Sequence, residues 1–461
     1  MNAHSRFRVS LLLLPLIVFS GVIFLLLYVG CGKKEPITLN VIGEAASAMD
    51  GLDSIKDQFT KEFGYKVVLH KFEFQTVQDK TILDFTGKRG FYDCIMGIYY
   101  NLGKYSENNF ILPFDRFMDD SRLRDSKVNL DQFFKPILDV SCYYRGRLMG
   151  LPFSGQCMFL WFRKDLFEHP DEQRDFGKRY GYSLPLPSAD RAITWKQYQD
   201  LAEFFTRKKG ARLAGRTLDK DFYGTCLQGK RHPSSWYEFT NFIYSFGGEI
   251  TINGKPALNS PAVLEALNYY RGLKRFSPPG VAQFTWDDAL ASMQQDRVAM
   301  EIMWADSAPY LDDPKDSSVV GKVGFGLVPI KEGVNRVVSQ YGGWGFYVNA
   351  FSKHPEEAAR FIQWCNRPDV QALWAEKGGI PTIVATYDDP RYKAKPYAAT
   401  HKASLQHLTA WPREPYSSQL IDLGAEAISE ALSSEVKSAD VLSRLQGNFD
   451  KVLSGAQPST R

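Results

Sequence analysis

The sequence predicts an α/β protein whose lobes each carry a mainly parallel sheet flanked by helices. Three observations support this. The chain has 461 residues, more than one hydrophobic core fills, which points to two or three domains. The stretch from Ile37 to Ile98 alternates strand, helix, strand, helix, strand, the pattern of parallel strands joined by crossover helices. With 44% hydrophobic and 23% charged residues, the composition is that of a folded globular protein.

The chain opens on a targeting segment. Arg6 and Arg8 precede an apolar run from Val9 to Gly30, and Cys31 follows. A basic start, an apolar middle and a small-residue end describe a signal peptide. Gly30-Cys31-Gly32 resembles the bacterial lipoprotein signal, although Tyr28 stands where that pattern usually has leucine. Residues 1–30 therefore read as a lipoprotein-type signal peptide and Cys31 as the lipidation site. The mature chain then lies outside the cytoplasm, in the periplasm or at the cell surface, held to the membrane by a lipid anchor. The run is also long enough to span a bilayer, so retention as an N-terminal anchor is the competing reading.

Ile37 to Ile42 reads as a buried strand, and Gly43-Glu44-Ala45-Ala46-Ser47 as the turn from strand to helix. Leu52, Ile55, Phe59 and Phe63 recur at steps of three or four, which gives an amphipathic helix over 50–63 that Gly64 ends. Tyr65 to Leu69 is a second strand, 76–86 a second helix and Asp93 to Ile98 a third strand. Ligands of such sheets bind beyond the carboxyl ends of the strands. That puts Glu44 and Tyr99-Tyr100-Asn101 near any site, with packing under the following helix as the alternative for the two tyrosines.

Tyr143 to Arg163 reads as a short hairpin, a break at Leu151-Pro152 and an apolar strand. Proline fits poorly inside a central strand, so the break is read as a crossing between lobes. Helix starts follow: Thr194 with Gln197 as a capping box, Ser260 before Pro261, Thr285 before Trp286-Asp287-Asp288, and His354-Pro355-Glu356-Glu357 with its acids at the N-terminus. Asn253-Gly254 signals a hairpin. In Tyr341-Gly342-Gly343-Trp344-Gly345-Phe346, glycines that allow positive φ and close approach surround one large ring. The stretch reads as an aromatic platform offered to a ligand beside bare backbone N–H groups, or else as a turn holding a core tryptophan.

Several function classes are disfavoured. A net charge of +4 with scattered basic pairs gives no phosphate-tracking stripe, so no nucleic-acid partner is expected. The six cysteines form no CxxC pair and the seven histidines no HExxH, so no metal site is expected, nor any cofactor. Gly224 to Arg231 mimics a phosphate loop, but Arg231 replaces the magnesium-holding hydroxyl and Pro233 falls where the helix should run. No GxSxG elbow or EF-hand loop occurs. With Cys31 acylated, five cysteines remain, so at least one is unpaired within the chain.

The order of several stretches resembles the extracellular solute-binding proteins of sugar ABC transporters, of the maltose-binding type. They are Tyr92 to Ile95 with Ile111 to Asp115, Gly146 to Phe153, Trp161 to Phe167, Phe246 to Ile250, Leu258 to Ala262, Val298 to Met300, Gly321 to Gly324, Gly342 to Gly345, and Ser352 to Ala358. The likeness covers roughly Ile37 to Leu453. It implies a two-lobe periplasmic binding protein fold of type II with hinge crossings. The first lobe is expected over 36–151 plus 328–368, the second over 152–327 plus 369–453, with a loose tail at 454–461. It implies a non-enzymatic protein that captures a carbohydrate between its lobes and delivers it to a membrane permease. Carried over position by position, the ligand-binding residues are Glu44, Tyr99, Tyr100, Asn101, Gln156, Trp236, Tyr237, Trp304, Asp306, Gly343, Trp344 and Arg413. Aromatic faces would stack on sugar CH surfaces while acids, amides and arginine hydrogen-bond hydroxyls. A non-sugar solute on the same fold and a secreted glycoside-active enzyme are the alternatives.

Overall fold

The computed structural model describes residues 36–456; the expected signal peptide over 1–30 and the expected lipidation site Cys31 lie outside them. Nine strands build two main sheets: β1 (Thr38–Glu44), β2 (Lys66–Phe72), β3 (Cys94–Ile98), β4 (Leu151–Ser154), β5 (Met158–Arg163), β6 (Tyr223–Thr225), β7 (Val298–Trp304), β8 (Val323–Gly326) and β9 (Trp344–Val348). The first sheet runs β2-β1-β3-β9-β4 and the second β6-β7-β5-β8. In the first, β1 is parallel to β2 and β3, while β9 is antiparallel to both its neighbours. In the second, β5 is the antiparallel strand between β7 and β8. Each lobe thus has helices packed on a mixed sheet with one reversed strand.

The helices that shape the site are α1 (Ser47–Phe63), α2 (Phe74–Thr86), α3 (Pro233–Ser245), α4 (Trp286–Gln294), α5 (Ser417–Ser433) and α6 (Ser438–Ala456). Gly64 stops α1 in the left-handed conformation, φ 76°, with its N–H on the Thr60 carbonyl. The Glu73 carboxylate caps α2 by accepting from the N–H groups of Gln75 and Thr76. The capping boxes at Thr194/Gln197 and Thr285/Asp288 are both formed. Asn253 and Gly254 both take positive φ between the paired strands Thr251–Ile252 and Lys255–Pro256. Strands β5 and β7 are buried along their whole length, which accounts for their unbroken apolar runs.

The lobe boundaries differ from the sequence expectation at four points. Leu151-Pro152 is not a crossing: it belongs to β4, the edge strand of the first sheet, where a missing N–H is tolerated. The chain crosses at 155–157. Residues 328–338 stay with the second lobe, where Ile330 exchanges backbone hydrogen bonds with Ile193 and Trp195. Helix Pro368–Glu376 stays with the first lobe, where the Trp374 indole donates to the Ala48 carbonyl of α1 at 2.8 Å. The tail is helical to Ala456 as the end of α6.

The crossings lie side by side. Cys157 bridges to Tyr341, and Ser339–Gln340 pairs with Leu408–Thr409. His401 ties a further segment to the first crossing: Nε2 donates to the Gly155 carbonyl at 3.0 Å and Nδ1 accepts from the Tyr392 hydroxyl at 2.7 Å. Burial holds this imidazole at about 4, so it acts as a neutral structural link. All five described cysteines are buried and free.

One buried pair makes stability depend on pH. Glu301 of β7 has no partner for either carboxylate oxygen, and Glu238 of α3 accepts only from Gln228 N–H and the Tyr270 hydroxyl. Burial pushes Glu238 up to about 8, and burial with the Glu238 charge pushes Glu301 well above the carboxylate range. Both carboxyls titrate near 4.3 in the unfolded chain, so the folded state holds their protons to higher pH. The contribution of this pair to stability is then fullest below about pH 4 and is lost as pH rises towards about 8. Unfolding midpoints should decline across that window, and Glu301→Gln should flatten the decline. An unchanged slope in the variant would show that Glu301 does not contribute to it.

Candidate binding cleft

Each lobe directs the carboxyl ends of central strands at the other. Glu44 ends β1 and Ile98 ends β3; Trp304 ends β7 on the opposite side. Between them, with the lobes in contact, lies a small cavity of about 80 Å³. The first lobe lines it with Glu44, Ala45, Ala46, Phe74 and Ile98. The second lobe supplies Tyr237, Trp286, Asp287, Leu290, Trp304, Asp306, Ser307 and Tyr310. Gln156 and Gly342, one on each of two crossings, close the remaining side, with Gly342 N–H donating to the Gln156 carbonyl at 3.1 Å.

The lobes touch around this cavity. Ser47 Oγ donates to the Asp306 carbonyl at 2.7 Å and the Tyr310 hydroxyl to Asp50 Oδ2 at 3.1 Å. The rings of Phe74 and Trp286 meet edge to face at 5.2 Å. Within the second lobe, the Tyr237 and Trp304 rings meet edge to face at 5.6 Å.

The polar wall is acidic. Burial, and after it the Asp306, Asp287 and Glu73 carboxylates, hold the Glu44 carboxyl well above its usual range. Asp306 is raised chiefly by burial, with Asp287 adding to it, and Asp287 by burial, Asp288 and Glu73. Gln156 Oε1 is buried with no hydrogen-bond partner. Such a wall offers hydrogen-bond acceptors between flat aromatic surfaces. Among the described residues no group of three His, Cys, Asp or Glu side chains could hold a metal ion. A second, wider groove runs between the 182–200 segment and the 327–337 loop, without this convergence of rings and acids.

Comparison with known proteins places this geometry. The sequence model of the bacterial extracellular solute-binding proteins matches residues 45–372, most of the chain. The protein belongs to that family. It is 26% identical over 318 residues to a probable ABC transporter-binding protein of Deinococcus radiodurans, covering 67% of this chain and 69% of that one. It is 25% identical over 332 residues to the mannitol-binding protein of Pseudomonas aeruginosa, covering 68% and 69%. An ABC transporter solute-binding protein from Agrobacterium radiobacter, solved in complex with ribitol, superposes with a TM-score of 0.75 at 24% identity over 91% of this chain and 100% of that chain. The family is one of extracytoplasmic binding proteins with two lobes and an intervening cleft.

Within this solute-binding protein, five of the expected residues line the cavity together: Glu44, Gln156, Tyr237, Trp304 and Asp306. The others do not. Tyr99 is fully buried, its hydroxyl accepting from Trp411 N–H at 2.8 Å. Tyr100 sits behind Tyr237, ring centroids 6.3 Å apart, and Asn101 is spent on Gln78 Oε1 at 2.8 Å. Trp236 is core, packed on Trp411 and Phe449. Arg413 donates to the backbone carbonyls of Asp139, Val140 and Tyr143, anchoring the crossing strap. Trp344 is 0% exposed and packs edge-on behind Phe74 at 5.6 Å.

The glycines beside Trp344 serve packing and not φ: none of Gly342, Gly343 and Gly345 has positive φ. A Cβ on Gly343 would overlap the Tyr341 ring, and one on Gly342 would stand 2.4 Å from the Trp304 ring. It is Gly342, the neighbour of the expected Gly343, that faces the cavity. Sequence reasoning missed Phe74, Trp286, Asp287, Leu290, Ser307 and Tyr310. Trp286 and Asp287 open α4, as the sequence predicts, and also line the cavity.

Proposed function

We propose that this protein is the extracytoplasmic substrate-binding component of an ABC importer, and that it captures a carbohydrate (a sugar, an oligosaccharide or a sugar alcohol) between its lobes and passes it to a membrane permease. The observation that carries the reading is the cleft itself: four aromatic rings, Phe74, Tyr237, Trp286 and Trp304, around hydrogen-bonding groups from both lobes and both crossings. Rings bind the CH faces of a sugar, while the carboxylates and the Gln156 amide accept from its hydroxyls. Because each lobe supplies part of the wall, a ligand that touches both stabilises the closed arrangement over an open one. The mannitol and ribitol ligands of the relatives are polyhydroxylated, in keeping with this lining.

A thermal-shift screen of hexoses, disaccharides, maltodextrins and sugar alcohols tests the reading. A true ligand at a hundred times its Kd adds about 2.7 kcal/mol of stability; no shift with any member of the panel would refute it. Gly342→Ala should weaken binding of the ligand so found by about fivefold or more, because overpacking costs about 1–3 kcal/mol and the new methyl drives Trp304 off the wall. Unaltered affinity in calorimetric titration would remove Gly342 and Trp304 from the site. We further propose lipid anchoring at Cys31, checked by mass spectrometry of the mature N-terminus: an intact Met1 without an acyl chain would refute it.

A further inference from the structure

The cleft carries a charge that nothing in its wall balances. Glu44 from the first lobe faces Asp287 and Asp306 from the second, and no lysine, arginine or histidine lines the cavity. Glu73 lies close enough to raise both Glu44 and Asp287. Two of the bases nearest the cleft are engaged or neutral. Lys71 is paired with Asp50 and Asp53 at 2.9 and 3.1 Å. His232 packs edge-on against Trp286 at 4.6 Å, and burial holds it neutral, at about 4.

The wall also holds polar groups with unmet hydrogen-bonding capacity. Asp306 is 7% exposed, and its carboxylate accepts from the backbone N–H groups of Asp306 and Ser307 with no side-chain donor. Gln156, equally buried, has its Oε1 unpaired. These atoms accept hydrogen bonds and call for donors. A neutral polyol supplies donors but, wherever these carboxyls ionise, leaves their charge uncompensated as the lobes enclose them, and uncompensated buried charge is costly. A ligand that brings its own cation supplies donors and charge together. The faces of Trp286, Trp304 and Tyr237 around the same space attract a cation further. The acids line the cavity without forming a metal-holding group, which favours a larger organic cation over a bare metal ion.

We propose that the solute is a polyhydroxylated molecule carrying a protonated amine, an amino sugar or amino sugar alcohol, with its ammonium placed between Glu44 and Asp306. This rests on the carbohydrate reading above and narrows it. Because burial and neighbouring carboxylates favour the protonated forms of Glu44 and Asp306, binding of the ammonium should release protons from them.

Calorimetric titration of the full-length protein near neutral pH, in two buffers of different ionisation enthalpy, tests this. The probes are glucosamine, galactosamine and mannosamine against their parent hexoses, glucamine against sorbitol, N-acetylglucosamine as an uncharged control, and spermidine. At least one hydroxylated amine should bind tighter than its parent by about tenfold or more, the yield of one 1.4 kcal/mol interaction, with proton release that the neutral probes lack. Glu44→Gln and Asp306→Asn, each checked for folding by its melting curve, should erase that preference. Equal or tighter binding of the neutral parents would overturn the inference and leave the carbohydrate reading standing. Preference retained in both variants would also overturn it. Binding of none of the sugar probes, or of spermidine above all of them, would overturn both.

Discussion

Trp344→Ala is expected to cost about 3–5 kcal/mol of folding stability, the range for deleting a buried tryptophan. The residue begins β9, where its backbone faces Ile98 of β3 on one side and Ser154 of β4 on the other. Its ring is 0% exposed and lies edge-on to Phe74 with an interplanar angle of 72°. Removing it opens a void between the centre of the first sheet and the start of α2. Phe74, a wall of the cleft, would then lose its backing, so binding weakens as a consequence. Urea unfolding measures the effect. A variant of unchanged stability that no longer binds would put Trp344 in the cleft and contradict this account.

Trp304→Ala should act in the opposite order. Trp304 ends β7 with one edge against Gly342 and its ring against Tyr237, and it lines the cavity. A buried aromatic anchor of this kind contributes about 2 kcal/mol or more to binding, so affinity should fall by about thirtyfold or more. Trp236→Ala is the control. Trp236 is equally apolar and fully buried, but packs away from the cavity among Trp411, Phe449 and Gly424. Its loss should lower stability while the folded fraction keeps its affinity. Equal losses of affinity in the two variants, compared at full folding, would refute the assignment of Trp304 to the wall.

Much of the fold was legible because its signals are local. The apolar period of α1, the Gly64 stop, the Thr194 and Ser260 caps and the Asn253-Gly254 turn depend on neighbours in sequence, and each forms as read. The crossings were less legible. Pro152 marks a strand as unlikely to be central, but an edge strand and a hinge satisfy that equally, and only the pairing with β9 separates them. The site was half legible. Glu44 follows from the rule that strand ends face the ligand, a rule that also pointed to Tyr99, Tyr100 and Asn101, which lie outside the cavity. Trp304 and Asp306 came only from the family resemblance. Trp344 and Trp236 were misplaced, because a tryptophan beside glycines or at a helix start has the same local signature whether its ring meets a ligand or another ring. Phe74, Trp286 and Asp287 were hidden by their own helix starts. The caps at Glu73 and Thr285 explain those stretches without reference to a cleft, and the cleft exists only once the second lobe faces the first.

The most direct test is a crystal structure with the tightest-binding sugar, sugar alcohol or amino sugar from the screens. The ligand should lie between the lobes, hydrogen-bonded to Glu44, Gln156 and Asp306 and in ring contact with Trp304 or Trp286. A ligand found in the groove between the 182–200 segment and the 327–337 loop, or bound to one lobe without touching the other, would contradict the account.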